Sequence, residues 1–150
     1  MKTIFESFSV GPATVKNRIV RSATLERLAV GGHITSAIVD VYETLAKGGT
    51  GLIIAGMAGV EPYAGIGPTM INAYHPEFVE EARRLTDAVH RHGALAALQI
   101  AHCGLRAEPD ADGFVWGPSP LKEIPHSRVL AADGIRRITT AFRDSALRAR

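Results

Sequence analysis

One cysteine, Cys103, is all the thiol chemistry the 150-residue chain contains. It excludes an internal disulfide and any zinc centre built on several thiolates, and it fits a reducing, cytoplasmic compartment. Long apolar runs are also scarce. The longest, Leu52–Val60 and Ala94–Ala101, fall well short of the about 20 residues a membrane-crossing helix needs. Glu6 and the polar residues after it interrupt any signal-peptide core. Charge of one sign is not in excess either. The 17 basic side chains face 15 acidic ones, which gives little reason to expect a nucleic-acid partner.

With 46% apolar residues and a net charge of +2, the chain is too hydrophobic and too weakly charged for a disordered segment. Its 15 glycines and 8 prolines are near the usual background, which excludes collagen and low-complexity linkers. One domain is the default at this length. A closed (β/α)8 barrel, which needs roughly 250 residues, is excluded.

What the chain does have is alternation. Asn17–Ser22 is short and β-branched and reads as a strand. Over Thr35–Lys47, Ile38, Tyr42, Leu45 and Ala46 recur at helical spacing, with Thr35 or Ser36 to cap the start and Gly48-Gly49 to stop it. Gly51–Ala55 is a continuous apolar run suited to a parallel strand covered on both faces. Gly56–His75 reads as a long loop, a length that is usually functional or else a wrong assignment.

Pro76 is placed to open a second helix running to His92, with Phe78, Val79, Ala82, Leu85 and Val89 as its apolar stripe. Ala94–Ile100 is the third strand-like run, and an irregular stretch, Ala101–Ala132, follows. A last helix is expected from about Asp133, its cap, to Arg150, with Ile135, Ile138, Phe142 and Ala146 inward. The order is strand, helix, three times over, which predicts an α/β fold with a parallel sheet and right-handed crossovers.

In such folds ligands bind at the C-terminal ends of the strands. That rule gathers Ser22-Ala23-Thr24-Leu25, Gly56-Met57-Ala58 and Gln99-Ile100-Ala101-His102 onto one face. Gln99 is the most informative residue, because its amide both donates and accepts inside an apolar run. It is either a core glutamine bonded to neighbouring backbone or an amide that reads the pyrimidine edge of a ring. Gly56 and Gly59 either bring backbone close to a ligand or serve ordinary turns.

Other motifs carry less. His102 and Cys103 alone make a poor metal site, and Cys103 reads as a buried structural residue. Gly65-Ile66-Gly67 lacks the third glycine of a dinucleotide fingerprint. His90 and His92 diverge on a helix, and Arg136, Arg137, Arg143, Arg148 and Arg150 read as a solvated face.

Four segments in register resemble one family. They are Val15–Val20 followed by Arg21-Ser22-Ala23-Thr24, then Gly48–Ile54, then Leu98-Gln99-Ile100-Ala101-His102-Cys103-Gly104, and then Gly117-Pro118-Ser119-Pro120. Together they look like the N-terminal part of the old yellow enzyme family of FMN-dependent ene-reductases and NADH:flavin oxidoreductases. The resemblance implies that residues 1–150 are the first three βα units of a single FMN-binding (β/α)8 TIM barrel.

It further implies that Ser22, Ala23 and Thr24 lie beside the flavin, with Thr24 catalytic as the residue tuning its potential. Gly56 and Met57 would bring backbone to the N5/O4 edge, Gln99 would read the O2/N3 edge, and His102 would contact substrate. Leu105 stands where the family commonly has arginine, and Arg106 follows it.

The implied activity is hydride transfer from NADH or NADPH, through FMN, to a small-molecule activated alkene, with the 150 residues inactive by themselves. No metal, membrane or nucleic-acid partner is expected. The alternative is a non-catalytic βα module that forms a homo-oligomer or pairs with a partner chain across its open sheet edges.

Overall fold

The computed structural model describes residues 3–150. An antiparallel hairpin, β1 (Phe8–Val10) and β2 (Ala13–Val15), comes first. Then follow β3 (Val20–Arg21), α1 (Ser36–Lys47), β4 (Leu52–Gly59), β5 (Ile71–Asn72), α2 (Phe78–His90) and β6 (Leu95–Ala101). A 3₁₀ turn at Gly104–Arg106 leads to the parallel pair β7 (Val115–Gly117) and β8 (Ser127–Val129), and then to α3 (Ala132–Arg148). Among the described residues no helix is long and apolar enough to cross a membrane.

The main sheet is parallel throughout, with β4 at its centre. One edge of β4 pairs with β6 from Leu52↔Leu95 to Gly59↔Ala101. The other pairs first with β3 (Val20↔Leu52) and then, beyond the end of β3, with β5 (Ala58↔Ile71). Burial explains why the β4 sequence shows no polar alternation. Ile53, Ala55 and Ala58 enter a core with Ile38, Tyr42 and Ala46 of α1 and with Phe78, Leu85 and Val89 of α2. Ala96 and Leu98 of β6 pack against the same core, whereas Ala97 and Gln99 are exposed on the opposite face. The period of two in a strand thus separates a helix-covered face from an open one.

Helix α1 starts and stops as its sequence demands. The Thr35 oxygen accepts the Ile38 N–H at 3.4 Å, while its hydroxyl donates to the Leu28 carbonyl at 2.8 Å. Gly48 donates to the Thr44 carbonyl at 2.9 Å, and Gly49 takes φ +101°, a conformation glycine adopts without penalty.

Several expectations are corrected. The strand read over Asn17–Ser22 is only Val20–Arg21, because the Asn17 side chain diverts the backbone before it. That side chain accepts the Ile19 N–H at 3.0 Å and donates to the Gly49 carbonyl at 2.7 Å. The β1–β2 hairpin was not expected. It closes the N-terminal end of the sheet, where the Lys16 ammonium donates to the His92 carbonyl at 2.8 Å and Val15 is buried. The Gly56–His75 loop contains the last four residues of β4 and all of β5. Helix α2 begins at Phe78, two residues after Pro76.

The Ala101–Ala132 stretch holds a 3₁₀ turn and two short strands. Ala131, not Asp133, occupies the N-cap of α3, and Asp133 lies in the first turn paired with Arg136. The inward face of α3 is also rotated from the expected one. Ile135 and Ala146 are exposed, Ile138 and Phe142 are half-buried, and Ser145 is buried with its hydroxyl donating to the Val60 carbonyl at 3.4 Å.

Replacing Thr35 with alanine removes both the cap and its tie to Leu28. Urea unfolding of Thr35→Ala is expected to show a loss of about 1–2 kcal/mol, and a midpoint equal to wild type would contradict that role.

Candidate functional site

The three segments gathered by the strand-end rule do meet. Gly56 and Gln99 are direct partners in the β4–β6 ladder. The β3–β4 pairing ends at Arg21↔Ile53, three residues before Thr24, whose hydroxyl donates to the Ser22 carbonyl at 3.4 Å. The chain after β3 stays close, since Leu25–Leu28 line a small cavity together with Gly56, Met57, Thr69 and Ile71. Thr24 and Gln99 are exposed, Ala23 and Met57 are half-buried, and Ser22 is exposed beside them. Gln99 is therefore not a core glutamine, because its amide stands on the open face of the sheet at the rim.

Gly56 and Met57 have different roles. Gly56 has φ +118°, and a Cβ there would lie 2.7 Å from the Gln99 carbonyl oxygen. The close approach that requires glycine is to the neighbouring strand. Gly59 is similar, with a Cβ falling 2.9 Å from Asn72 Oδ1. The Gly56 N–H is also committed, donating to the Tyr42 hydroxyl at 3.4 Å. Met57 is different, because the register passes from Gly56↔Gln99 to Ala58↔Ile100 and skips it as a bulge does. The rim thus offers an amide, a hydroxyl and one strand residue left out of the ladder, suited to a flat ring edged with donors and acceptors.

Beneath the rim lies a polar cluster. Arg21 Nη2 is 2.7 Å from Glu26 Oε1, and Arg21 Nη1 donates to the Ser22 carbonyl. The Glu26 side chain is 9% exposed, and its charge acts on the phenol of Tyr42, which is fully buried. Burial, reinforced by the Glu26 charge, pushes the Tyr42 phenol up to about 12, so it keeps its proton.

His102 lies elsewhere. Its Nδ1 accepts the Gly104 N–H at 3.0 Å, which leaves the ring proton on Nε2, 3.3 Å from Glu61 Oε1. Glu61 is 9% exposed and also accepts from Arg137 Nε at 3.0 Å and Nη2 at 3.2 Å. Arg137 is therefore an inter-element tie and not merely part of a solvated face. These three groups line a cavity of about 360 Å³ with Tyr63, Phe114 and Trp116; Thr24, Gly56 and Gln99 are not in its walls. Both ring nitrogens of His102 face groups of the protein itself.

Cys103 is half-buried, and burial pushes its thiol up, away from nucleophilic use. In the same region Asp110 staples a turn, accepting from Trp116 Nε1 at 2.6 Å and from the Phe114 N–H at 2.9 Å, which holds its carboxyl below the usual range.

Sequence reading missed Glu26, Glu61 and the hydroxyl role of Tyr42. A buried carboxylate partner leaves no periodicity, and Tyr42 sits at an apolar helix position whether or not its oxygen is used. The signal available for Glu26 was its spacing of five from Arg21 across the strand end.

Comparison with known proteins places the chain in a family. Residues 3–150 match the model of the NADH:flavin oxidoreductase / NADH oxidase family. N,N-dimethylglycine/sarcosine dehydrogenase of Chromohalobacter salexigens is 33% identical over 157 residues, covering 97% of this chain and 22% of that protein. An NADPH dehydrogenase of Halalkalibacterium halodurans is 31% identical over 151 residues, covering 98% of this chain and 44% of that protein. The crystal structure of Old Yellow Enzyme from Pichia sp. AKU4542 superposes with TM-score 0.89 at 20% identity, over 97% of this chain and 42% of that one. The chain spans less than half the length of each of these relatives, and its fold is that of the N-terminal part of their barrel.

Two measurements test this geometry. Gly56→Ala is expected to destabilise the protein by more than about 1 kcal/mol in chemical unfolding, since a left-handed backbone and a strand contact both oppose a Cβ. The Tyr42 phenol is raised in the folded state, so its contribution to stability is complete below pH 10 and is lost between pH 10 and about 12. Wild type should lose stability across that window by a step that Tyr42→Phe lacks, and identical profiles would contradict the assignment.

Proposed function

Because this chain belongs to the NADH:flavin oxidoreductase / NADH oxidase family, the old yellow enzyme family, we propose that it forms part of the FMN cradle of an NAD(P)H-dependent oxidoreductase acting on a small molecule. One observation carries the reading. The Gln99 amide, the Thr24 hydroxyl and the unladdered Met57 backbone occupy the same end of a parallel sheet, beside the face that the helices leave open.

That donor set fits FMN. Gln99 would pair with the O2/N3 edge of the ring, since its amide supplies a donor and an acceptor side by side. Met57 would meet the N5/O4 edge through its backbone, and Gly56 would support it from the neighbouring position with its own N–H held by Tyr42. Thr24, with Ser22 and Ala23 leading to it, would flank the ring and place a hydroxyl beside its polar edge. When bound, FMN supplies the hydride chemistry between NADH or NADPH and an activated alkene. The residues of this chain bind and orient the ring, and donors fixed at its edge stabilise negative charge developing there without reorganising.

Substrate contact by His102 finds less support than the cofactor contacts, since both of its nitrogens are engaged. A second reading has one observation in its favour. Among the described residues β6 pairs with β4 alone, so its outer edge is open to a strand from another chain. Light scattering on a colourless sample would favour that module, and a protein yellow near 450 nm favours the flavin reading.

In the complete FMN-loaded protein, Gln99→Ala is expected to weaken FMN binding by about five- to thirty-fold, the loss of one or two hydrogen bonds of about 1 kcal/mol each. Fluorescence titration of the released flavin reads this directly. Unchanged affinity together with an unchanged rate of flavin reduction would remove Gln99 from the cradle.

A further inference from the structure

Met57 stays out of the ladder only while the pairing beyond it is held. The first part of the β4–β6 ladder ends at Gly56↔Gln99, and the far part consists of two pairs, Ala58↔Ile100 and Gly59↔Ala101. Two pairs hold a register weakly, and a slip of one residue absorbs the extra residue of a bulge. Carried through without a bulge, the earlier register would set Ala101 beside Ala58 and return Met57 to the ladder. The chain leading to His102 would then draw back by one residue, about 3.3 Å, from the chain leading to Glu61. The residues just past Gly59 oppose that slip.

There three elements are tied together. The Val60 N–H donates to the Ala101 carbonyl at 3.3 Å, and the Cys103 N–H donates to the Ala64 carbonyl at 2.8 Å. Between these bonds sits Glu61, which is 9% exposed. Its carboxylate accepts from Arg137 Nε at 3.0 Å and Nη2 at 3.2 Å, and its Oε1 lies 3.3 Å from His102 Nε2. The other nitrogen of that ring accepts the Gly104 N–H, so the imidazole is held from both sides. Further along the same helix, the buried Ser145 hydroxyl donates to the Val60 carbonyl at 3.4 Å. Helix α3 thus grips the end of β4 at two points, roughly two turns apart. A largely buried carboxylate is costly once a partner is lost, so the pairing of Glu61 sets a penalty on any slip that separates these groups.

We infer that Glu61 is a positioning residue for the cofactor. Held by Arg137 and set against His102, it locks the register beyond the bulge and keeps the Met57 backbone free for the flavin edge. The inference rests on the FMN reading given above, and it assigns no contact between Glu61 and FMN. Its path is the ladder itself. Glu61 stands two residues past the end of β4, which carries Met57, and His102 directly follows the last residue of β6, which carries Gln99.

The test uses the complete protein reconstituted with FMN, together with Glu61→Ala, Glu61→Gln and Arg137→Ala. Glu43→Gln serves as the control, because Glu43 meets Arg91 and His92 at 3.1 Å each at the opposite end of the sheet. Circular dichroism and thermal melts report the folding and stability of every variant. Glu61→Ala is expected to bind FMN on the order of tenfold more weakly, and Arg137→Ala about threefold more weakly. Glu61→Gln keeps an acceptor oxygen and should fall between Glu61→Ala and wild type. Glu43→Gln should lower the melting temperature and leave FMN affinity unchanged. Before FMN is added, hydrogen exchange over Met57–Ala64 should quicken in both alanine variants and not in the control. The visible absorption band of bound flavin should shift in Glu61→Ala and stay in place in Glu43→Gln.

A folded Glu61→Ala protein with wild-type FMN affinity and an unshifted flavin band would overturn the inference, and so would wild-type exchange over Met57–Ala64. Equal losses of affinity in Glu61→Ala and Glu43→Gln would overturn it too, since general destabilisation would then account for both. If Glu61→Ala does not fold, Arg137→Ala decides alone, because that side chain is 62% exposed and its removal leaves the core filled. Unchanged affinity and exchange in Arg137→Ala would then overturn the inference. A wild-type protein that is yellow while every variant matches it removes only the positioning role. A wild-type protein that binds no FMN removes the flavin reading and this inference with it.

Discussion

The pairing of β4 with β6 fixes everything of functional interest in this chain. Seven residue pairs run in register from Leu52↔Leu95 to Gly59↔Ala101, with Met57 passed over once near the end. Parallel register sets which atoms share a level, and the period of two sets which face they occupy. From those rules Gln99 stands beside Gly56, at the C-terminal end and on the face away from α1 and α2. The 2.7 Å separation between a hypothetical Gly56 Cβ and the Gln99 carbonyl shows how little freedom the pair has.

The two ends of the sheet carry different duties. At the N-terminal end, Asn17, Lys16 and the β1–β2 hairpin satisfy backbone groups and close the core. At the C-terminal end, polar side chains are both exposed and supported from below. Glu26 and Tyr42 underlie the rim, and Glu61 joins β4, the end of β6 and α3 through His102 and Arg137. This division between stabilising and functional ends is general in parallel α/β barrels. Here two largely buried carboxylates, Glu26 and Glu61, lie at that end of the sheet.

Much of this was legible because it depends on patterns that chain chemistry repeats. Apolar spacing located α1 and α2 to within one or two residues, and unbroken apolar runs located β4 and β6. The strand-end rule then collected Thr24, Gly56 and Gln99 without coordinates. What stayed hidden depends on partners distant in sequence. Asn17 shortens β3 by bonding Gly49, 32 residues away. Ser145 turns α3 by bonding Val60, 85 residues away. No local window contains both members of such a pair. The sequence leaves Gly56 open between close approach to a ligand and an ordinary turn, whereas in the fold it makes room for the next strand, a distinction only the register settles.

The central claim is that Thr24, Met57 and Gln99 cradle one flat ring. A crystal structure of the complete protein with FMN tests it most directly. The account predicts the ring lying across the open face at the ends of β4 and β6, with the Gln99 amide and the Met57 backbone within about 3 Å of its polar edges. A flavin seated instead in the cavity beside Glu61 and Trp116, or one with Gln99 turned away from it, would contradict the account.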